Sequence, residues 1–193
     1  MKTDIILAGV GGQGILSIAT TLGVAALSNN LFIKQAETHG MSQRGGAVVS
    51  HMRISDKIIA SDLIPLGKAD IILSVEPMES LRYLPYLSGT GYLVTNTTPF
   101  INIPNYPEVE KVLAQIRKLP RFIAIDADQI AKEIGNAKAS NMVMLGAASP
   151  FVDISFENIQ AGVKSIFGRK GEDVVALNML ALEAGRNFSL QYK

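Results

Sequence analysis

Cysteine is absent from the 193-residue sequence, and this absence limits the chemistry that the chain can perform alone. Without a thiol the chain cannot ligate an iron–sulfur cluster, form a thioester on its own side chains or make a disulfide. Only two histidines are present, and two histidines alone would be an unusual zinc site. We therefore expect no metal site, and any redox chemistry must come from a bound cofactor or from another polypeptide.

Blocks of like charge and long apolar runs are also missing. The 18 Lys and Arg residues nearly balance the 17 Asp and Glu residues, and the two signs are mixed along the chain. This mixture argues against binding to nucleic acid or to a membrane surface. Residues 1–4 contain no basic region leading into an apolar run, and no stretch approaches the roughly 18 apolar residues of a membrane span. These features predict a cytoplasmic protein with no nucleic-acid or membrane partner.

The length of the chain favours one domain over residues 1–193, which can bury a sizeable core without disulfides or metal. Hydrophobic residues make up 48% of the sequence and charged residues only 18%. Two explanations of this apolar content stay open. Either the core is well filled, or part of the apolar surface is covered by a partner subunit.

A glycine motif follows the first predicted strand. Residues 5–8 are all apolar and predict a buried parallel strand, and a predicted apolar helix ends at Leu27. Between them, Gly9, Gly11 and Gly14 match the G-x-G-x-x-G phosphate fingerprint. One glycine of this motif permits a sharp turn, a second lets backbone N–H groups approach an anion, and a third lets the helix pack against the sheet. The helix N-terminus then offers unpaired N–H groups and a partial positive charge.

The loop that carries this motif supplies the first candidates for cofactor binding. These candidates are Gly9, Gly11, Gly12, Gln13 and Gly14. The alternative is that the glycines serve only the close packing of strand, turn and helix, or the packing of the loop against a partner.

The second predicted strand, residues 31–37, ends in an acid. Glu37 lies about where a dinucleotide-binding fold places its ribose-binding acid, so Glu37 is a further candidate for cofactor binding. A polar, glycine-bearing loop follows over residues 38–46, where that fold would have a helix. The alternatives for Glu37 are a solvated acid at the strand end or an ion pair with Arg44.

A β-hairpin is predicted next. Residues 47–54 alternate between apolar and polar side chains, and after the turn Ser55-Asp56-Lys57 a short apolar run covers residues 58–60. An antiparallel hairpin is foreign to the simple doubly wound order, so we expect a mixed sheet.

Beyond the hairpin, strands alternate with helices. Further strands are predicted at residues 69–75, 91–96 and 122–125, and helices at 76–87, 107–119, 129–134, 141–148, 156–167 and 172–188. Residues 96–107 are rich in Thr, Asn and Pro and predict an irregular loop. The pattern predicts an α/β fold: a single three-layer α/β/α domain with a mixed, mostly parallel sheet and a Rossmann-like glycine loop after the first strand.

Two motifs together resemble a known family. The first is Gly11-Gly12-Gln13-Gly14, and the second covers residues 37–46 and contains His-Gly-Met-Ser-Gln-Arg-Gly-Gly. The sequence resembles the gamma-type domain of the 2-oxoacid:ferredoxin oxidoreductases, and the second motif is most similar to that of the indolepyruvate-type small (beta) subunits. Further matches are Ala69-Asp70, Glu76-Pro77, Asn96-Thr97 and the segment at residues 141–146, so the resemblance spans nearly the whole chain.

This resemblance implies a subunit of a thiamine-diphosphate enzyme. Such an enzyme decarboxylates an arylpyruvate oxidatively and yields an aryl-acetyl coenzyme A, carbon dioxide and reduced ferredoxin. In the family, thiamine diphosphate and the iron–sulfur clusters belong to the large (alpha) subunit or to other domains. The absence of cysteine from this chain is consistent with that division. Coenzyme A is the co-substrate, ferredoxin is reached through the complex, and the isolated chain is expected to be inactive. Formation of a homodimer by the isolated chain is a further possibility.

His39 and Arg44, in the second motif, are the candidates for catalytic roles. The planar guanidinium of Arg44 suits bidentate pairing with a substrate carboxylate or a coenzyme A phosphate, and a salt bridge to Glu37 is the alternative. His39 could donate to an oxyanion or exchange a proton near neutral pH, but a structural hydrogen bond is the commoner role. His51 is expected to be an ordinary surface or cross-strand residue.

Other readings of the chain stay open. Asp70 and Glu76 could form an acid–base pair, although a loop end and a helix first turn are the simpler roles. Met41, Met142 and Met144 are expected in the core or an interface. A self-sufficient nicotinamide or flavin oxidoreductase would use the glycine motif and Glu37, whereas a purely structural subunit would only support assembly. Within the family, the substrate could also be pyruvate, 2-oxoisovalerate or 2-oxoglutarate.

Overall fold

Six strands and seven α-helices make up this computed structural model, which describes residues 1–40, 45–101 and 103–192. The strands are Lys2–Val10 (β1), Phe32–His39 (β2), Ala47–Ser55 (β3), Ala69–Ser74 (β4), Leu87–Asn96 (β5) and Phe122–Ile125 (β6). The helices are Ile15–Leu27 (α1), Pro77–Arg82 (α2), Val109–Ile116 (α3), Ala127–Glu133 (α4), Ser140–Ala148 (α5), Phe156–Phe167 (α6) and Glu172–Leu190 (α7).

The strands form one mixed sheet in the order β2-β3-β1-β4-β5-β6. β3 is antiparallel to both β1 and β2, whereas β1, β4, β5 and β6 pair in parallel. All strands except β3 therefore run in the same direction, and their carboxyl ends lie at one edge of the sheet. The predicted fold class, with a mixed and mostly parallel sheet, is confirmed.

Helices cover both faces of the sheet. Ile5 and Leu7 of β1 face a core formed with α1 and the helices α4 to α7, whereas Ile6 faces a smaller core formed with α2 and α3. The alternation within β1 follows from the two-residue period of a strand. A strand covered on both faces favours apolar residues on both of them, and this explains the continuous apolar run at residues 5–8.

α5 is the central helix of the larger core. All its residues after Ser140 are buried, including Met142 and Met144, which are core residues as expected. The helix packs against α7 on one side and against the sheet on the other. A helix that is apolar on all sides is typical of such a fully covered position.

The predicted hairpin is correct in its first strand but wrong in its second. β3 pairs along its whole length with β1 on one side and with β2 on the other. Neither edge of β3 is left for residues 58–60, which form no strand. The end of this segment is held by hydrogen bonds from side chains of β2 and β3. Lys34 Nζ donates to the Ala60 carbonyl at 3.1 Å, and Arg53 Nη1 donates to the carbonyl of the next residue, Ser61, at 3.1 Å.

Caps and prolines explain several helix boundaries. α6 has the predicted bounds, and the Ser155 hydroxyl accepts from the Asn158 N–H at 3.3 Å. α4 is capped by Asp126, one of the two predicted caps. The helix predicted at 76–87 ends at Arg82, because Pro85 lies in a short 3₁₀ turn and β5 already begins at Leu87.

Candidate functional site

The glycine loop connects β1 to α1 at the carboxyl edge of the sheet. Gly9 lies inside β1, where a Cβ would come within 2.4 Å of Val75 Cγ2, so packing alone accounts for this glycine. Gly14 precedes α1 with φ +81°, and Gly12 has φ +105° with open space around the position of a Cβ. The left-handed backbone at these two positions favours glycine and turns the chain sharply into the helix.

Several backbone N–H groups of this loop have no acceptor within the described part of the chain. The Gly11 N–H donates to the Gly46 carbonyl at 2.9 Å, and the Gln13 N–H donates to the Val10 carbonyl at 3.1 Å. Among residues 1–40, 45–101 and 103–192, no acceptor is bonded to the N–H groups of Gly12, Gly14, Ile15 and Leu16. No side chain of the described residues caps α1, and the first turn of this helix contains no acidic residue. An anion is the ligand that such a helix start favours.

Gln13 bridges the crevice between β1 and β4. Its Oε1 accepts from the Val10 N–H at 2.8 Å, and its Nε2 donates to the Val75 carbonyl at 3.3 Å. Both ends of the amide are thus used within the subunit. Gln13 fixes the loop against the two strands.

Glu37 and His39 project from the same face of β2, two residues apart. The His39 Nε2 lies 2.6 Å from the Glu37 Oε1, with the Glu37 side chain mostly buried and the His39 side chain 54% exposed. Glu37 thus orients the imidazole toward solvent. Arg44 and Met41 lie outside the described residues, so the predicted role of Arg44 and its alternative salt bridge to Glu37 stay predictions.

One groove of about 300 Å³ brings the glycine loop together with the end of β2. Its lining consists of Val10, Gly11, Gly12, Gly14, Ile15, Leu16, Glu37, His39 and Val48. We call it the glycine groove. Val48 belongs to β3, which lies between β1 and β2. Since neighbouring strands are about 4.8 Å apart, Glu37 lies roughly 10 Å from β1 across the sheet. In the simple dinucleotide order β2 would adjoin β1.

A second pocket of about 290 Å³ lies at the same edge, on the other side of Gln13. Its lining consists of Gln13, Val75, Asn96, Thr98, Pro99, Phe100, Asp128, Lys132, Ser140 and Met144. Asn96 is buried and organises this region, because its Nδ2 donates to Asp128 Oδ2 at 2.7 Å and its Oδ1 accepts from the Ala127 N–H at 3.1 Å. Of the residues that line this pocket, Gln13 alone is a candidate site residue predicted from the sequence. The position of Asn96 could have predicted a site here, because Asn96 ends a parallel strand and ligands bind beyond the carboxyl ends of such strands.

Asp70 and Glu76 do not form an acid–base pair. They lie at opposite ends of β4, roughly 20 Å apart at the usual rise of a strand. Asp70 Oδ2 accepts from the Asp4 N–H at 2.8 Å, and Glu76 caps α2 by accepting from the Glu79 N–H at 2.8 Å. The simpler role expected for Glu76, at the start of a helix, is confirmed.

His51 is buried in the sheet, where it is paired with Ile6 of β1 and Ala36 of β2; of the two expected roles, the cross-strand one holds and the surface one does not. Its Nδ1 accepts from the Ile64 N–H at 3.1 Å, and its ring contacts Tyr86 edge to face at 5.2 Å. Burial lowers the pKa of His51, and the nearby Asp62 opposes this shift. A neutral imidazole is the form that can accept the Ile64 N–H.

Two kinds of feature are absent from residues 1–40, 45–101 and 103–192. No group of three or more His, Asp or Glu side chains there could hold a metal ion. No helix in the same residues is long and apolar enough to cross a membrane.

Comparisons with known proteins identify relatives along the whole chain. Residues 4–188 match the family model described as pyruvate ferredoxin/flavodoxin oxidoreductase. The chain is 35% identical to indolepyruvate oxidoreductase subunit IorB of Archaeoglobus fulgidus, over 97% of this chain and 95% of that protein. It is 37% identical to the protein of the same name from Pyrococcus horikoshii, over 94% and 93% of the two chains.

A solved structure with the same fold is a 2-oxoglutarate:ferredoxin oxidoreductase from Magnetococcus marinus with 2-oxoglutarate, coenzyme A and succinyl-CoA bound. The TM-score is 0.78 at 22% identity, over 98% of this chain and 31% of that chain. The likeness therefore shows that the fold occurs as one part of a larger polypeptide.

Proposed function

The chain belongs to the pyruvate ferredoxin/flavodoxin oxidoreductase family, and we propose from this premise that it is the small subunit of an indolepyruvate-type 2-oxoacid:ferredoxin oxidoreductase. The reaction is the oxidative decarboxylation of an arylpyruvate to an acyl-coenzyme A, with reduction of ferredoxin. The name shared by relatives at 35% and 37% identity over nearly the full length supports the arylpyruvate class. The complex is proposed to be cytoplasmic.

The single observation that carries a role for this chain in the reaction is the glycine groove. It joins N–H groups at the start of α1, which have no acceptor among the described residues, to an exposed imidazole on β2. Backbone N–H groups at a helix N-terminus bind phosphate oxygens, and coenzyme A carries phosphates. The groove therefore fits the anionic part of that co-substrate.

Each candidate residue then has a defined part. The N–H groups of Gly12 and Gly14 bind the anion, and Gln13 holds the loop in place. Gly11 joins the loop to the β2–β3 connection through Gly46. Gly9 contributes by packing.

On the other wall of the groove, Glu37 orients His39, and the His39 imidazole forms a hydrogen bond with the bound ligand. Arg44 is proposed to pair with a carboxylate or phosphate of substrate or coenzyme A. No structural observation bears on Arg44, so this role rests on the sequence motif.

Thiamine diphosphate supplies the decarboxylation chemistry in this proposal and is held, with the iron–sulfur clusters, by the large subunit. The absence of cysteine and of a metal-holding group in residues 1–40, 45–101 and 103–192 leaves this chain without ligands of its own for a cluster. Its contribution is to bind and orient the co-substrate, to close the active-site wall and to assemble with the large subunit. Ferredoxin is reached through the complex.

The test is co-purification of the native protein from its own cells, followed by assay of the complex. We expect a large cysteine-rich partner with thiamine diphosphate and iron–sulfur absorbance, and ferredoxin reduction that requires both indolepyruvate and coenzyme A. Pyruvate, 2-oxoisovalerate and 2-oxoglutarate serve as competing substrates, and a preference for one of these would reject the arylpyruvate assignment.

Binding of a nucleotide to the isolated chain tests the dinucleotide alternative. A self-sufficient oxidoreductase would bind NAD(P) or a flavin with micromolar affinity. The insertion of β3 between β1 and β2 disfavours this alternative, because it moves Glu37 away from the glycine loop. Purification of the chain alone with a bound nucleotide would overturn the subunit role.

A further inference from the structure

Glu76 is a fully buried carboxylate that has no part in the function proposed above. It directly follows Ser74 and Val75 at the carboxyl end of β4, on the edge that carries both pockets. A buried carboxylate is tolerated only where hydrogen-bond donors replace water. The donors to Glu76 therefore show what this side chain holds in place.

The two carboxylate oxygens serve different segments. Oε2 accepts from the Glu79 N–H at 2.8 Å and caps α2. Oε1 accepts from the Tyr106 hydroxyl and from the Phe100 N–H at 3.4 Å. One side chain thus joins the start of α2 to two points of the irregular connection between β5 and α3.

The donor from Tyr106 is a stable one. Burial, with the hydrogen bond to Glu76 and its negative charge, raises the pKa of the Tyr106 hydroxyl far above its ordinary value. The phenol therefore keeps its proton at every physiological pH and continues to donate to Glu76. A hydrogen bond to an ionised acceptor is stronger than a neutral one.

The segment held by Glu76 forms one wall of the second pocket. Thr98, Pro99 and Phe100 lie on this wall, while Lys132 and Met144 line the pocket from α4 and α5. Gln13 also lines this pocket and follows directly on Gly12, which lines the glycine groove. A long ligand anchored in the groove can therefore extend past Gln13 to Phe100.

We propose that Glu76 is a positioning residue for the reaction: by holding the Phe100 N–H and the Tyr106 hydroxyl, it sets the pocket wall against which the co-substrate bound in the glycine groove extends. This role rests on the proposed function. It does not require Glu76 to touch the ligand or the reacting atoms.

The first measurement is amide hydrogen exchange on the isolated chain. Tyr106→Phe removes one hydroxyl and leaves the cap of α2 intact, so we expect the Phe100 amide to exchange about 10-fold faster, as loss of a hydrogen bond worth about 1.4 kcal/mol predicts. Tyr83→Phe is the matched control, because the Tyr83 hydroxyl makes no hydrogen bond within the described residues. Its Phe100 exchange should equal that of the wild type.

The second measurement is steady-state ferredoxin reduction by the complete complex. With Tyr106→Phe we expect the KM for coenzyme A to rise about fivefold while kcat stays within about twofold, since the wall affects binding and not the chemical step. Tyr83→Phe should leave both constants unchanged. Glu76→Gln, which keeps one acceptor oxygen, should change the KM in the same direction if it folds.

The outcomes separate this role from the function on which it rests. An active wild-type complex with an unchanged KM in Tyr106→Phe would overturn the role of Glu76 alone, and so would unchanged exchange at Phe100. If Tyr106→Phe lowers kcat and the melting temperature but leaves the KM unchanged, the hydrogen bond between Tyr106 and Glu76 only stabilises the fold, and the positioning role is overturned. An inactive wild-type complex would overturn the proposed function and, with it, this role.

Discussion

Gly146 of α5 and Gly185 of α7 face each other where the two helices cross, and neither position has room for a side chain. A Cβ at Gly146 would lie 1.9 Å from the Leu182 carbonyl oxygen, and a Cβ at Gly185 would lie 1.9 Å from the Val143 carbonyl oxygen. The crossing positions α5, whose Asn141 Nδ2 donates to the Gly14 carbonyl at 3.2 Å. The contact between α5 and α7 therefore fixes the position of Asn141, which in turn holds the glycine loop at Gly14.

Replacement of Gly146 or Gly185 by alanine should destabilise the protein by about 3 kcal/mol, the upper part of the range for overpacked cores, because backbone oxygens cannot yield as side chains do. Urea denaturation of each variant measures this change in the free energy of unfolding. Gly168→Ala is the control, since a Cβ there meets nothing within 4 Å and the backbone is helical. It should raise stability by about 0.5 kcal/mol. Equal stability of all three variants would contradict a tight crossing.

A negative charge at the mouth of the glycine groove should weaken binding of the co-substrate. Leu16 lines the groove in the first turn of α1 and is 58% exposed. Leu16→Glu is compatible with the helix dipole, so the fold should persist, but the carboxylate competes for the unbonded N–H groups. We expect the KM for coenzyme A in the complex to rise about 10-fold, equivalent to about 1.4 kcal/mol.

Two variants control this experiment. Leu16→Gln has nearly the same size without the charge, and Leu27→Glu places the charge at an equally exposed position at the other end of α1. Both should leave the KM within about twofold of the wild type. If Leu27→Glu raises it as much as Leu16→Glu, the groove is not the anion site.

Loss of the imidazole on β2 should reduce turnover without loss of assembly. His39→Ala removes the imidazole at the groove, and we expect kcat/KM of the complex to fall about 100-fold, as when one positioned hydrogen-bonding group is lost. Thr38→Ala is the neighbouring control, because successive residues of a strand face opposite sides. Size-exclusion chromatography verifies that both variants still bind the large subunit. Unchanged turnover of His39→Ala would favour a purely structural subunit.

The stability of the isolated chain should depend on the protonation of His51. Burial lowers its folded-state pKa below 6.5, so the unfolded chain binds the proton more readily. Its contribution to stability is therefore fully present above the unfolded value and is lost as the pH falls through the folded-state pKa. Urea denaturation at about pH 7.5 and about pH 5 should show a smaller loss for His51→Asn than for the wild type. An equal loss in His51→Asn and in the wild type would contradict the assignment.

Local signals in the sequence were sufficient for the elements that depend on neighbouring residues. The apolar residues Ile71, Ile72 and Leu73 of β4 and the serine cap of α6 each reflect a cause within a few positions of the element. The place of β3 depends instead on pairing with β1 and β2, which lie distant in the sequence. The apolar character of residues 58–60 could not reveal that both edges of β3 were already taken.

In the candidate site, too, some features have a local sequence signal and others depend on contacts between distant segments. The glycine fingerprint located the loop, because one of its glycines, Gly14, has a positive φ and another, Gly9, has no room for a side chain. The second pocket gathers Gln13, Phe100 and Lys132 from three distant segments, and no local pattern connects them. Glu76 was recognised as a helix start, but its bonds to Phe100 and Tyr106 depend on a tertiary contact that the sequence does not encode in one place.

The insertion of β3 between β1 and β2 also determines when the sheet and the glycine groove can form during synthesis of the chain. When residues 1–40 have left the ribosome, β1 and β2 are both complete, yet they are not neighbours and have no hydrogen bonds to exchange. Every sheet partner of β1 lies downstream, in residues 47–55 on one side and 69–74 on the other. A nascent chain that ends before residue 47 therefore carries an apolar strand with two open edges and no groove. The walls of the glycine groove first meet when β3 enters the sheet between them.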